Sequence, residues 1–200
     1  MFETIRSFIA FELPENIISS IGKLQKQIKC HGLNARWVHP ENIHLTLKFL
    51  GDITKTDIEN AGGTIIETAK GYAPISLSAK GIGIFPNIKR PRVIWVGIAG
   101  QISTLVGLQR ELDENLGSLG FAKEKRLFKG HLTLGRIKKK IPLKRLVDAI
   151  KKFEGFESEI FTVDQIILFK SILKPSGSVY TKLLIANLTV SQKIKNLNSA

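Results

Sequence analysis

The chain contains the tetrapeptide His44-Leu45-Thr46-Leu47, and the same tetrapeptide returns 87 residues later as His131-Leu132-Thr133-Leu134. Each copy lies in a segment whose apolar and polar residues alternate, and this alternation predicts a strand. Successive side chains of a strand point to opposite faces. Each copy therefore predicts a strand with leucines on its back and one histidine and one threonine on its front.

The spacing of the two copies is close to half of the 200 residues. An internal repeat can mark a duplicated structural unit, and two lobes related by approximate two-fold symmetry let the polar faces meet across a groove. Strands and helices also mix along the chain without strict βαβ alternation. We therefore expect an α+β fold of two pseudo-symmetric lobes, with largely antiparallel sheets facing a central groove and helices outside.

The periodicity of apolar residues predicts the remaining elements. Helices are expected over residues 17–28, 55–70, 102–119 and 143–153. Strands are expected over residues 5–11, 42–50, 75–84, 92–99, 131–137, 160–169 and 179–190, with a turn at Lys174-Pro175-Ser176-Gly177 between the last two. Residues 1–191 are expected to form a single bilobal domain, and residues 192–200 a polar C-terminal tail.

Composition narrows the class of protein. The 30 lysines and arginines outnumber the 17 acidic residues, which gives a formal net charge of +13. Such an excess attracts polyanions, so RNA, DNA and an anionic membrane all fit it, and so does simple solubility. The single cysteine, Cys30, excludes a disulfide framework and a multi-cysteine zinc site, and it favours a cytoplasmic location. We find no signal-peptide pattern and no apolar run long enough to span a membrane.

Paired histidines and threonines suit acid–base chemistry at a phosphate. Histidine titrates near neutral pH, so a neutral and a protonated imidazole can work side by side. Threonine hydroxyls can donate hydrogen bonds to phosphate oxygens. Metal binding is the alternative, but threonine is a poor zinc ligand and no cluster of histidine, cysteine and carboxylate completes a site. We therefore expect neither a metal nor a cofactor.

At these residues the chain resembles the two-histidine phosphoesterase superfamily, and most closely its RNA 2′,3′-cyclic phosphodiesterase branch, historically called the 2′-5′ RNA ligase family. Two departures from the family pattern are Gly130, where proline is usual, and Val179, where a basic residue is common. The resemblance covers nearly the whole chain, in residues 6–14, 37–52, 83–86, 90–97 and 128–136, and at Ser171, Tyr180 and Thr181.

The resemblance implies a bilobal α+β fold and the opening of a phosphodiester that leaves a 2′-phosphate. By position, it implies a catalytic set of His44, Thr46, His131 and Thr133, with His131 as the general base and His44 as the general acid. The implied partners are RNA with 2′,3′-cyclic phosphate ends or small cyclic nucleotides, and we expect a monomer that binds no membrane. Two alternatives stay open: joining of RNA ends through a 2′-5′ linkage, and a non-catalytic RNA-binding module.

Further residues are candidates for holding the substrate. Arg136 lies in a cluster of basic residues near the second motif, which also includes Lys139 and Lys140, and Arg92 flanks the earlier basic loop over residues 85–91. Both could contact RNA phosphates. Strand alternation puts Arg136 on the face opposite His131 unless the strand bends. Phe49 and Phe11 are candidates for stacking on a base. Tyr180 could order the ligand or pack in the core.

Overall fold

A computed structural model describes residues 3–138, 141–175 and 177–189. The α+β class is confirmed. The helices are α1 (Glu15–Lys29), α2 (Lys55–Ala69), α3 (Ile102–Ser118) and α4 (Leu143–Phe153). The strands are β1 (Ile5–Phe11), β2 (Ala35–Trp37), β3 (Leu45–Ile53), β4 (Ile75–Phe85), β5 (Val93–Gly100), β6 (His131–Ile137), β7 (Phe161–Val163), β8 (Gln165–Lys174) and β9 (Gly177–Asn187).

The described strands form one antiparallel sheet in the order β7-β4-β5-β6-β3-β1-β8-β9, and β2 pairs with β6 beside this path. The two strands that contain the repeat, β3 and β6, meet at the centre of the sheet through the pair Leu45 and Leu132. In each half a strand and a helix precede the repeat strand, as β1-α1-β3, with β2 between α1 and β3, and as β5-α3-β6. The two predicted lobes are thus halves of one continuous, curled sheet.

The core lies between the back of this sheet and the helices. The leucines of both repeats are buried there, at 0 to 3% exposure. The apolar stripes of α1 and α3 cover them, as the three- and four-residue spacing predicts. These stripes are formed by Ile17, Ile21, Leu24 and Ile28 in α1 and by Leu105, Leu108, Leu112 and Leu116 in α3. Burial of the leucines fixes the register, because a slip by one residue would turn the histidines into the core.

Several predicted boundaries were wrong. The strand predicted from residue 42 begins at Leu45, because a 3-10 turn over Pro40–Asn42 comes first and its last hydrogen bond runs from the Ile43 amide to the Pro40 carbonyl. The strand predicted over residues 160–169 is divided at Asp164, where the chain crosses from β7 on one half to β8 on the other. Strand β9 ends at Asn187.

Some predictions concern residues that the structure does not describe. The predicted tail over residues 192–200, Ser176 of the predicted turn, and Lys139 and Lys140 of the basic group all lie outside the described residues. Within the described part of the chain, no helix is long and apolar enough to cross a membrane.

Candidate active site

The central strand pair brings the polar residues of both repeats to one face of the sheet. Leu45 and Leu132 are direct partners in an antiparallel ladder, so one position further along, His44 lies across from Thr133 and Thr46 across from His131. The leucines at alternate positions point to the helices. Both histidines and both threonines therefore face the groove, where each is half-buried.

Both imidazole rings are oriented by the same local contact. The Nδ1 atom of His44 lies 2.8 Å from the carbonyl oxygen of Asn42, and Nδ1 of His131 lies 2.7 Å from that of Lys129. A carbonyl oxygen only accepts hydrogen bonds, so each Nδ1 carries the hydrogen and donates it. In the neutral ring, Nε2 is left with a free lone pair. The sequence repeat thus presents two imidazoles as the same tautomer.

His44 lies in an aromatic environment. Its ring stacks on Phe8 with centroids 4.7 Å apart and meets the edge of Tyr180 at 5.3 Å. Burial lowers the pKa of His44 from 6.5 to about 4, and the Asn42 carbonyl and the charge of Glu12 only partly oppose this. The charge of His131 also lowers the pKa of His44, which places the two imidazoles within electrostatic reach of each other.

His131 has a more cationic environment. Its ring meets Phe85 edge to face at a centroid distance of 4.9 Å, and Trp95 lies 6.4 Å away. Burial lowers the pKa of His131, the Lys129 carbonyl raises it, and the charges of Arg136 and Lys129 lower it further. The Lys129 ammonium lies 4.6 Å from the centroid of the Trp95 ring and 5.6 Å from that of Phe85.

Arg136 lies on the same face as His131 because the strand is irregular. Thr133 pairs with Trp95 and Gly135 with Ile94, so Leu134 is an extra residue in β6 between consecutive positions of β5. Such a bulge reverses the alternation of side chains beyond it. Arg136 pairs with Val93. Val93 lies two residues from Trp95 and therefore on the same face, which is the face of Thr133 and His131.

The other predicted substrate contacts are divided between the site and the rest of the fold. Tyr180 lies against His44. Phe49 is 65% exposed with its ring centroid 6.1 Å from that of Phe8. Phe11 is 0% exposed in the main core, so no face of its ring is open to a base. Arg92 is exposed and lines a separate cavity of about 680 Å³ with Ile88, Ile137 and Ile141 among its neighbours.

Sequence patterns name Phe8, Phe85 and Trp95 among the aromatic candidates for stacking on a base, but they do not predict that these rings lie against the histidines. Phe8, Phe85 and Trp95 come from other strands, and their contacts depend on strand pairing across the sheet. One signal was available in Gly83, which pairs with Trp95. A Cβ atom at Gly83 would come within 2.1 Å of the Trp95 ring, so only glycine lets the indole lie over this strand. In the described part of the chain, no three histidine, cysteine or carboxylate residues group as metal ligands.

A model of the family described as LigT like Phosphoesterase matches the chain twice, over residues 11–95 and 96–180. Each match contains one of the two His-x-Thr motifs. The chain therefore belongs to the LigT-like phosphoesterase family.

Individual relatives agree with this assignment. A Methanocaldococcus jannaschii protein named RNA 2′,3′-cyclic phosphodiesterase is 39% identical over 176 residues, which cover 88% of this chain and 96% of that protein. A Methanothermobacter thermautotrophicus protein of the same name is 33% identical over 184 residues, 92% of this chain and 99% of that protein. These two alignments extend over nearly the full length of each relative.

Solved structures share the fold. A crystal structure of a Thermus thermophilus protein superposes with a TM-score of 0.77 at 26% identity, covering 94% of this chain and 100% of that one. Escherichia coli LigT in its apo form superposes with a TM-score of 0.73 at 22% identity, covering 94% of this chain and 99% of that one. The two-lobed architecture is therefore that of the family.

Proposed function

We propose that this protein hydrolyses the 2′,3′-cyclic phosphodiester ends of RNA to 2′-phosphomonoesters, by acid–base catalysis without a metal. The observation that supports this most is the placement of both His-x-Thr motifs on one face, with Nε2 of each neutral imidazole left free by the same backbone contact. The names of the relatives that are 33% and 39% identical support the choice of reaction.

The reaction needs one proton removed and one supplied. A water oxygen attacks the phosphorus as an imidazole Nε2 takes the proton of that water. The bond between phosphorus and the 3′ oxygen breaks, and a second imidazole, protonated at Nε2, gives its proton to that oxygen. The product has a free 3′ hydroxyl and a phosphate on the 2′ oxygen. The two imidazoles have then exchanged protonation states, and proton exchange with water restores them.

The threonines stabilise the negative charge that develops on the non-bridging oxygens of the phosphate. Each hydroxyl lies across the strand pair from the histidine of the other motif, so the hydroxyls of Thr46 and Thr133 flank the position between the rings. A hydroxyl there donates a hydrogen bond to a non-bridging oxygen, and in a half-buried site such a bond is stronger than in water.

We assign His131 as the general base and His44 as the general acid. The charges of Arg136 and Lys129 lower the pKa of His131 and so favour its neutral form, as a base requires. In the free protein His44 is also neutral at pH 7, since its pKa is about 4. An acid at His44 therefore depends on the bound phosphate anion, which raises the pKa of a neighbouring imidazole. The opposite assignment is the alternative, because the more depressed pKa belongs to His44.

Two other functions remain for comparison. Joining of RNA ends through a 2′-5′ linkage would use the same groups, with a hydroxyl of a second RNA end in place of water. A non-catalytic RNA-binding module would fit the net charge of +13. RNA binding alone does not require two imidazoles held in the same orientation. We propose that residues 1–191 act as one domain, as a cytoplasmic monomer, on RNA ends or small cyclic nucleotides.

Turnover of a 2′,3′-cyclic oligoribonucleotide in the presence of EDTA tests the proposal. We expect hydrolysis to a 2′-phosphate, identified by phosphorus NMR, at the rate measured without EDTA. Loss of activity on chelation, with recovery on added zinc or magnesium, would contradict a metal-free mechanism. A joined product with a 5′-hydroxyl acceptor would support the ligation alternative, and binding without turnover would support the module.

A further inference from the structure

Two arginines lie directly opposite each other at the far end of the repeat strand β6. Arg36 of β2 pairs with Arg136 in the antiparallel ladder between these strands, and both side chains are exposed. A guanidinium is charged at any pH at which the protein is folded. Like charges directly opposite on neighbouring strands are destabilising, so the pair costs the free protein some stability.

Nothing in the described part of the chain offsets this repulsion. Its six ion pairs use other residues, and the side chains of Arg36 and Arg136 donate no hydrogen bond to a described residue. Some exposed cations elsewhere have a carboxylate partner, as in the pairs of Arg110 with Glu114 and Lys80 with Glu157. Two arginines that are direct cross-strand partners, with no carboxylate partner among the described residues, suit an anion that comes from outside the chain.

The pair faces the groove. The bulge at Leu134 turns Arg136 to the face of Thr133, and direct cross-strand partners share a face, so Arg36 is on that side too. Phe85, whose ring meets His131, pairs with Val93, and Val93 in turn pairs with Arg136. Thr133 and Arg136 are three residues apart, which is about 10 Å along a strand. An extended arginine side chain covers much of that distance.

We propose that Arg36 and Arg136 bind a second phosphate of the substrate, the one on the 5′ oxygen of the nucleotide that bears the cyclic end. This inference rests on the proposed function, since it places the cyclic phosphate between the histidines. Guanidinium forks match phosphate oxygens in pairs, and the arriving anion removes the repulsion between the two arginines. The site therefore selects oligonucleotides and 5′-phosphorylated nucleotides over a cyclic nucleotide with a free 5′ hydroxyl.

The test compares two small substrates that differ in one phosphate, a nucleoside 2′,3′-cyclic phosphate with and without a 5′-phosphate. We expect kcat/KM to be about tenfold to a hundredfold higher with the 5′-phosphate, as hydrogen bonds to charged groups contribute about 1.5–3 kcal/mol. In Arg36→Gln this ratio should fall severalfold, because only Arg136 is left to bind the 5′-phosphate. In Arg36→Lys part of the preference should remain, because the charge stays while the fork is lost.

Arg110→Gln is the matched control, because this arginine is exposed on α3 and paired with Glu114, and it should keep the full ratio. Equal kcat/KM for both substrates in the unaltered protein, or an unchanged ratio in Arg36→Gln, would overturn the second phosphate site. If the unaltered protein turns over neither substrate, the proposed function fails instead. In that case the phosphate site is tested by equilibrium binding: the ratio of the two dissociation constants, without and with the 5′-phosphate, should be large in the unaltered protein and smaller in Arg36→Gln.

Discussion

The halves around β3 and β6 share a tetrapeptide but differ in what surrounds it. In both halves the histidine donates Nδ1–H to the carbonyl two residues earlier. Around His44 the neighbours are aromatic, with Phe8 stacked on the ring and Tyr180 at its edge. Around His131 the rings of Phe85 and Trp95 are accompanied by the cations of Lys129 and Arg136.

This comparison separates two determinants of a catalytic histidine. The repeated residues set the tautomer and the face of the ring, since they act through the strand and its backbone carbonyls. The unrepeated residues set the free energy of protonation, through burial on one side and through burial together with cations on the other. A duplicated motif can therefore supply two different groups from one local structure.

Even Lys48, four residues beyond His44, does not make the first half cationic. Its side chain is buried on the back of β3 and pairs with Asp113 of α3, and it also donates to the Ala122 carbonyl at 2.7 Å. Ala10 pairs with Thr46 and Ile9 with Lys48, so Leu47 is an extra residue in β3, and this bulge turns Lys48 towards the helices. The position of Lys48 thus leaves the aromatic rings as neighbours of His44.

Removal of either imidazole should have the largest effect. We expect His44→Ala and His131→Ala each to lower kcat about a hundredfold to ten-thousandfold, the usual contribution of a positioned acid or base. His39→Ala is the control, because His39 is exposed and lies outside both repeats. Steady-state kinetics on a 2′,3′-cyclic oligonucleotide measure the effect, and circular dichroism checks the fold. Full activity in either variant would refute the two-histidine mechanism.

The burial of His44 should make the protein sensitive to acid. Its pKa is about 4 in the folded state and 6.5 in the unfolded chain, so below pH 6.5 the unfolded state binds a proton that the folded state does not. Stability is therefore lost as the pH falls from 6.5 to 4, by about 3 kcal/mol for this group. Urea unfolding of the unaltered protein and of His44→Gln should show the difference between their free energies of unfolding changing by that amount from pH 7 to pH 4.

In the same experiment His131→Gln should give a change of the same sign, because burial also lowers the pKa of His131. Parallel curves for the unaltered protein and His44→Gln across this pH range would show that the aromatic neighbours do not suppress protonation of His44. That result would contradict the main difference between the two halves, which is the suppression of His44 protonation by burial among aromatic rings.

The threonines should contribute less than the histidines, and by similar amounts. Thr46→Val and Thr133→Val each remove one hydroxyl from the groove with little change of shape. We expect kcat/KM to fall about tenfold in each, the lower end of what a hydrogen bond to a charged oxygen contributes. Thr64→Val is the control, since the Thr64 hydroxyl bonds only the Asn60 carbonyl within α2, away from the groove. An effect confined to one threonine would show that only one half holds the phosphate.

Much of the fold could be predicted because it follows from local patterns. The strand over Ile5–Phe11 and the helix over Leu143–Phe153 have the predicted ends. The apolar faces of α1 and α3 are buried as their spacing indicates. The strand β2 was missed, because its three residues are too few to show a period.

The site was only partly predictable for a related reason. The repeat itself revealed both histidines and both threonines, but the neighbours of the rings come from strands that are distant in sequence. Phe11 was predicted on the groove side, but neighbouring residues of a strand face opposite sides of the sheet, and a shift of one position changes the side. Phe11 pairs with Leu45 of β3, and both side chains point to the core. Arg136 was expected on the far face unless the strand bends, and the extra residue at Leu134 reverses the alternation.

The division of labour between the two halves can be tested most directly with a leaving group that needs no proton. A p-nitrophenyl phosphodiester releases an anion that is stable at neutral pH, so its cleavage requires a base but no acid. We predict that this substrate restores most of the lost turnover in His44→Ala, whereas His131→Ala remains slow. Rescue of His131→Ala, with His44→Ala still slow, would contradict the account, because the buried imidazole among the aromatic rings would then be the base.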